Sequence, residues 1–297
     1  MREIYAAIGS RLRSAVRFAV ATLVETKNAA PAPIGTSLIV DSDGTFTGNI
    51  GAGCHESEIV EAARCALRDG IGRTLEFDMN DELLDGSACG ASLAVAIWLP
   101  ANEFVTVAER IVAGSEAVTF SCGGRIADIP RRRRLLIVGA TQLAAQLTRL
   151  ARDCDFHVTV VDPRAAFATG RRHPDADRVL VGWPDEVLPA LLARADAVVT
   201  LAHDIKIDLP SLRCALSSRV GYIGALGSRR SHGARLEALR SLGYPEDELA
   251  RIHGPTGLDV GAITEAQIAC SIVAETLAVL NGTTGAPLRE NRSLQRL

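Results

Sequence analysis

The run from Arg131 to Arg164 constrains the fold more than any other stretch. Four arginines lead into the apolar run Leu135-Leu136-Ile137-Val138, and Gly139 follows at once. Helically spaced apolar residues fill Leu143 to Arg152, and a second apolar run, Val158-Thr159-Val160-Val161, closes on Asp162-Pro163-Arg164. Strand, tight turn, helix and strand in that order open a doubly wound α/β domain. Asp162 lies 23 residues beyond Gly139, close to the spacing at which an acidic residue of dinucleotide-binding units meets a ribose hydroxyl. The turn reads Gly139-Ala140-Thr141-Gln142-Leu143-Ala144. It keeps the first glycine and the closing small residue of the dinucleotide fingerprint. The second glycine is replaced by Thr141, whose branched side chain crowds an approaching pyrophosphate. The fold is thus better marked than the cofactor.

Downstream the alternation continues. Asp177–Val181, Asp196–Leu201 and Val220–Ile223 read as strands, and Pro184–Arg194, Leu209–Ser217, Arg229–Leu242 and Thr264–Leu280 as helices. A parallel sheet with helices on both faces follows. Ligands of such sheets bind beyond the carboxyl ends of the strands. Asp162, His203, Asp204, Gly224, Gly227 and Ser228 all fall there. Taken singly, His203 is a loop histidine, Asp204 and Asp208 are helix caps, and Gly227-Ser228 is an N-cap. Their shared edge favours a ligand cleft. Arg131 to Arg134 reads as a solvated linker, with an anion-greeting role ranked below it.

The N-terminal third has a different texture. A short helix over Met1–Arg13, strands over Arg17–Thr26 and Ser37–Val40, and an Asp43-Gly44 hairpin turn into Thr45–Ile50 are expected. Gly51-Ala52-Gly53-Cys54-His55-Glu56 then opens an amphipathic helix to Arg68. Arg73–Asp78 and Ser92–Leu99 read as strands around the loop Asp85-Gly86-Ser87-Ala88-Cys89-Gly90, and Glu103–Ala113 reads as a helix. The fold class is therefore α/β, a C-terminal Rossmann-like doubly wound parallel sheet with a smaller N-terminal α+β domain. The expected limits are 1–120 for the first domain with its two cysteine loops, 121–134 for an arginine-rich linker, 135–282 for the Rossmann-like domain and 283–297 for a tail.

Cysteine usage sharpens the chemistry. The chain has 7 cysteines and no C-x-x-C pair, which argues against a disulfide framework or zinc ribbon. Cys154, Cys214 and Cys270 sit in apolar sequence and are expected in the core. Cys54 and Cys89 instead lie in glycine-rich loops. A cysteine at a helix start has its thiolate favoured by the same N–H field that attracts anions. By itself the Cys54 loop is a tight turn with a buried thiol. A second cysteine loop on the same module moves the balance toward a soft metal or sulfur-rich ligand. A zinc site from Cys54, His55 and Cys89 is the weaker variant, since adjacent residues seldom both ligate. Net charge is −3, and the sequence shows neither a signal peptide nor an apolar run near membrane-spanning length. Nucleic-acid and membrane functions are set aside, and the cytoplasm is the expected compartment.

These motifs together resemble the XdhC/CoxI family, accessory proteins of xanthine dehydrogenase and related molybdenum hydroxylases. The resemblance rests on Gly48-Asn49-Ile50-Gly51-Ala52-Gly53-Cys54-His55-Glu56 and Cys89-Gly90, on Val160-Val161-Asp162-Pro163-Arg164, and on His203-Asp204 with Lys206-Ile207-Asp208. Tyr222-Ile223-Gly224-Ala225-Leu226-Gly227-Ser228-Arg229-Arg230, Gly257-Leu258-Asp259-Val260-Gly261-Ala262 and Ile268 to Glu275 complete it. It covers nearly the whole chain. Thr141, Gln142, Ala52, Ala91, Glu265 and Gln267 depart from the family pattern and fit a divergent paralogue.

The resemblance implies a maturation chaperone rather than an enzyme. Such a protein binds the molybdenum cofactor (molybdopterin), protects it during sulfuration and inserts it into a xanthine dehydrogenase-like client. A cysteine desulfurase partner and homo-oligomerisation belong to the same expectation. Cofactor-binding candidates are Cys54, Glu56, Cys89, Gly139, Asp162, His203, Asp204, Gly224, Gly227, Ser228, Gly257 and Asp259, with Cys54 and Cys89 also candidates for the molybdenum. The competing readings are an NAD(P)-dependent oxidoreductase, weakened by Thr141, and a nucleotide-binding regulator using Cys54 and Cys89 as a redox pair.

Overall fold

The computed structural model describes residues 1–27, 32–50, 55–78 and 92–290. They form two compact units, Met1–Arg131 and Arg132 onward. The first contains α1 (Arg2–Arg13), β1 (Phe18–Lys27), β2 (Ser37–Asp41), β3 (Phe46–Gly48), α2 (Glu56–Asp69), β4 (Arg73–Asp78), β5 (Ser92–Trp98), α3 (Phe104–Ala113), β6 (Val118–Cys122) and β7 (Arg125–Ile129). An antiparallel sheet has the order β3-β2-β1-β5-β4. The central strand β1 is buried on both faces, which is why it is an almost unbroken apolar run. Phe18, Val20 and Val24 join the core of α1, α3 and the β6–β7 hairpin, while Ala19, Ala21 and Leu23 pack with Ile59, Ala63 and Leu67 of α2.

The second unit contains β8 (Arg133–Val138), α4 (Gln142–Asp153), β9 (Phe156–Asp162), β10 (Arg178–Val181), α5 (Pro184–Leu192), β11 (Ala197–Thr200), α6 (Ile205–Leu216), β12 (Tyr222–Ala225), α7 (Arg229–Ser241), α8 (Glu246–Leu249), β13 (Ile252–His253) and α9 (Glu265–Leu280). Its six strands are all parallel, in the order β10-β9-β8-β11-β12-β13. Counted within the unit this is 3-2-1-4-5-6, the doubly wound order whose crevice opens between the first and fourth strands. Helices α4 and α9 cover one face, and α5, α6 and α7 the other. Among the described residues no helix is long and apolar enough to cross a membrane.

Several expectations are corrected. Residues 121–134 are not a bare linker. Val118–Cys122 and Arg125–Ile129 pair as a hairpin across Gly123-Gly124, both at positive φ (57° and 80°), the conformation a two-residue hairpin turn requires. The arginine run is only partly solvated, with Arg131 exposed. Arg132 is buried and pairs with Asp177 at 2.7 Å, Arg133 binds Asn281 at 2.8 Å, and β8 has already begun at Arg133. Helix α6 begins at Ile205, a turn before the expected Leu209, because Asp204 caps it and Pro210 is carried inside. Asp208 is consequently not a cap. Strand β13 escapes sequence reading because two residues show no periodicity. Cys154 and Cys270 are exposed and Cys214 is half-buried, since Cys154 ends α4 and Cys270 lies on the outer side of α9.

Candidate functional site

The crevice is built from the turn after β8. Gly139 has φ +104°, and a Cβ there would lie 2.6 Å from the Ala202 backbone nitrogen. Only glycine lets the end of β8 and the segment after β11 approach so closely. Thr141 is the N-cap of α4, its hydroxyl accepting from the Ala144 N–H at 3.2 Å. The residue that breaks the dinucleotide fingerprint therefore has a structural use: it satisfies a helix-end donor that a glycine would leave to solvent or ligand.

Asp162 ends β9 and is wholly buried. Its Oδ2 accepts from the Ala140 N–H at 2.7 Å and from Arg164 Nη2 at 2.7 Å. Its Oδ1 accepts from the Arg164 N–H and Nε, each at 2.8 Å. Burial alone would raise the pKa of this carboxyl, but the Arg164 and Ala140 hydrogen bonds outweigh it and hold it below the usual carboxylate range. Arg164 is held above its ordinary value first by its hydrogen bonds to Asp162 and then, more weakly, by the charge of Asp204. The Arg164 guanidinium lies 4.5 Å over the ring of Phe167, and that of Arg172 lies 5.2 Å over the same ring.

The other candidates follow β11, β12 and β13 on the same sheet edge. His203 is exposed and sits at φ +55°. Asp204 caps α6 by accepting from the Lys206 N–H at 3.0 Å. Ser228, exposed, caps α7 by accepting from the Ser231 N–H at 3.1 Å. Beneath the Gly224–Ser228 loop, buried Asp208 pairs with buried Arg235 at 2.6 Å, and Arg235 also binds the Leu226 carbonyl at 2.8 Å. Burial raises the Asp208 pKa despite that arginine.

A polar cluster pins the loop after β13. Glu275 of α9 accepts from Tyr222 Oη at 2.5 Å and from the Gly257 N–H at 2.7 Å, while His253 Nδ1 lies 3.3 Å from its other oxygen. Tyr222 Oη also meets Thr256 Oγ1 at 2.6 Å. Gly224 makes this reach possible, because a Cβ there would stand 2.6 Å from Thr256 Oγ1 and 3.0 Å from the tyrosine ring. Burial pushes Glu275 up, but His253, Tyr222 and the Gly257 N–H overcome this and bring its pKa to about 2. Gly257 is thus a clamp point of the loop, with Asp259 exposed beyond it.

In the first unit, Cys54 and Cys89 lie outside the described residues, so only their flanks can be placed. His55, which follows Cys54, stacks on Phe77 with ring centroids 4.4 Å apart. Ser92, just beyond the Cys89 segment, pairs with both Asp78 and Lys27. The flanks of both cysteine segments therefore meet at one end of the antiparallel sheet. A cleft of about 320 Å³ opens there, lined by Glu25, Lys27, Glu76, Phe77, Ser92 and Arg125 among others. Glu56 stands half-buried in the first turn of α2. Arg164, Phe167, Arg172, Tyr222, His253 and Arg235 were not singled out as site residues by the sequence. Only the adjacency of Arg164 to Asp162 offered a signal.

Comparison with known proteins adds family evidence. Residues 135–276 match the family description "XdhC Rossmann domain" and residues 11–78 match "XdhC and CoxI family". Together these matches span more than half of the chain. YqeB of Escherichia coli is 27% identical over 271 residues, covering 90% of this chain and 44% of its own length. The Escherichia coli protein named molybdenum cofactor insertion chaperone PaoD is 25% identical, covering 87% of this chain and 82% of its own. A Bacillus subtilis protein, named as a probable xanthine dehydrogenase subunit, is 32% identical over 153 residues, covering 51% of this chain and 44% of its own. The chain thus spans less than half the length of the first and third relatives. A crystal structure described as a xanthine dehydrogenase from Bacillus halodurans superposes with a TM-score of 0.74 at 20% identity, covering 94% of this chain and 96% of that one. That likeness concerns the fold.

Proposed function

The chain belongs to the XdhC/CoxI family, and on that premise we propose that it is a molybdenum cofactor insertion chaperone for a xanthine dehydrogenase-type client. It acts in the cytoplasm as a homo-oligomer. It receives the cofactor, shields it while a cysteine desulfurase supplies the terminal sulfur, and passes it on. The cofactor is cargo, released intact. Cys54 and Cys89 approach its soft molybdenum–dithiolene centre, and thiolates suit such a centre. Glu56, in the first turn of α2, orders the helix start beside Cys54. In the second unit, Gly224, Gly227, Ser228, Gly257 and Asp259 line the crevice with Gly139, His203 and Asp204.

The observation that carries this reading is the meeting of the flanks of both cysteine segments at one sheet end, beside a cleft whose charged lining is Glu25, Lys27, Glu76 and Arg125. Two cysteine segments whose flanks converge on one sheet end suit a sulfur-rich ligand. The PaoD name supports the same direction.

The test is to produce the chain with the cofactor supplied and measure the fluorescence of its oxidised pterin after purification. Cys54→Ala and Cys89→Ala are each expected to reduce the signal, and the double variant to abolish it. A full-length protein that carries no pterin under saturating supply would sink the proposal.

A further inference from the structure

We propose that the crevice above β8 and β9 selects phosphate monoesters through Arg164 and Arg172, and turns away ligands that present only a bare ribose diol there. This rests on that crevice being a ligand site, as put forward above. In dinucleotide-binding units the carboxylate ending the second strand accepts hydrogen bonds from the ribose hydroxyls. Asp162 occupies that place and cannot do so. Each of its oxygens already accepts two hydrogen bonds, and the side chain has no exposed surface. A diol arriving here finds no acceptor, and its lost water hydrogen bonds go uncompensated.

What the crevice presents in place of the carboxylate is a guanidinium. Asp162 holds Arg164 by Nε and Nη2, which fixes the plane of the fork without the protein having to order it on binding. Nη1 makes no hydrogen bond among the described residues. A second guanidinium, that of Arg172, shares the Phe167 ring with it. Two like charges gathered on one half-exposed ring repel each other, and an anion seated between them turns that repulsion into attraction. Helix α4 beside them has no acidic residue in its first turn, so the helix itself adds no charge against an anion, while Asp204 lies near enough for its charge to act on Arg164. An arginine near this position is also the general device for accommodating a ribose 2′-phosphate. The phosphate could belong to a 2′-phosphorylated dinucleotide or to a phosphorylated pterin. Both present the same monoester, and experiment can separate them.

The experiment is calorimetric titration of the full chain with inorganic phosphate, NADP⁺ and NAD⁺. Phosphate is expected to bind in the millimolar range. Arg172→Gln, which leaves the Asp162–Arg164 pair intact, and Arg164→Gln should each weaken it by about tenfold. Asp204→Asn keeps the helix cap but removes the opposing charge, and should tighten it by about threefold. If NADP⁺ binds at least about tenfold more tightly than NAD⁺, the source is a dinucleotide phosphate. If neither dinucleotide improves on phosphate alone, the source is a small phosphorylated ligand such as a pterin. NAD⁺ binding as tightly as NADP⁺, with both tighter than phosphate, overturns the inference, as does phosphate binding indifferent to Arg172→Gln, or no phosphate binding at tens of millimolar. Pterin loading through Cys54 and Cys89 is a separate readout, so the chaperone reading and this one can fail independently.

Discussion

Two carboxylates organise the carboxyl edge of the second unit, and they draw their partners from different distances along the chain. Asp162 takes most of its hydrogen bonds from Arg164, two residues on, and one from Ala140, 22 residues back. Glu275 is filled by Tyr222, His253 and Gly257, which only the fold brings to it. The first arrangement leaves a cation facing the crevice. The second leaves no charge outward and fastens a loop. A saturated carboxylate can therefore either project its counter-charge toward a ligand or hold backbone in place. The choice depends on whether its partner is a long cationic side chain or a set of short fixed donors.

The contrast can be broken or sharpened by substitution. The largest effect is expected at the Asp162 turn. Gly139→Ala drives a Cβ against the Ala202 backbone at positive φ, and should lower unfolding free energy by about 4 kcal/mol, read by urea denaturation. A loss under one kilocalorie would mean that the turn can relax and the crevice is not rigid.

Next is the acid limb of Glu275. Its folded pKa of about 2 lies below the ordinary 4.5. Its stabilisation is thus complete above pH 4.5 and is lost as the pH falls toward 2. The depression corresponds to about 3 kcal/mol, and Glu275→Gln should flatten stability across that interval. An unchanged acid profile would show that the cluster holds the loop without its charge.

Gly257→Ala should cost about 2 kcal/mol, less than Gly139→Ala. It too has positive φ, but the nearest obstruction is the Ser271 hydroxyl at 2.4 Å, a side chain that can rotate away. Equal losses at the two glycines would remove the distinction between a turn bounded by backbone and one bounded by side chains. The smallest effect is Thr141→Ala, about 1 kcal/mol through loss of the α4 cap, visible as a small drop in thermal midpoint.

Much of this was legible in the sequence. The βαβ opening announced the parallel sheet because buried strands must be continuous apolar runs. Gly139 was readable as the turn, and Asp162 as the residue at the end of the second strand. The saturation of Asp162 was not, since adjacency of Arg164 does not say that its side chain folds back. The β6–β7 hairpin was visible in principle, through alternation around Gly123-Gly124, yet it looked like loose chain beside an arginine run. Arg132 looked solvated because its partner Asp177 is 45 residues away.

The sequence by itself determined the two-unit plan, the parallel character of the larger sheet and the family, since periodicity, turn residues and motifs are local and act over a few residues. Only the tertiary structure decided the strand order, the exposure of Cys154 and Cys270, the pairing of Asp208 with Arg235, and which polar groups on the ligand edge are already occupied. These depend on contacts between residues tens of positions apart. A hydrogen-bonding group's availability is fixed by whichever donors the fold delivers to it: Asp162 drew most of its donors from the nearby Arg164, while Glu275 drew all of its from residues 18 or more positions away.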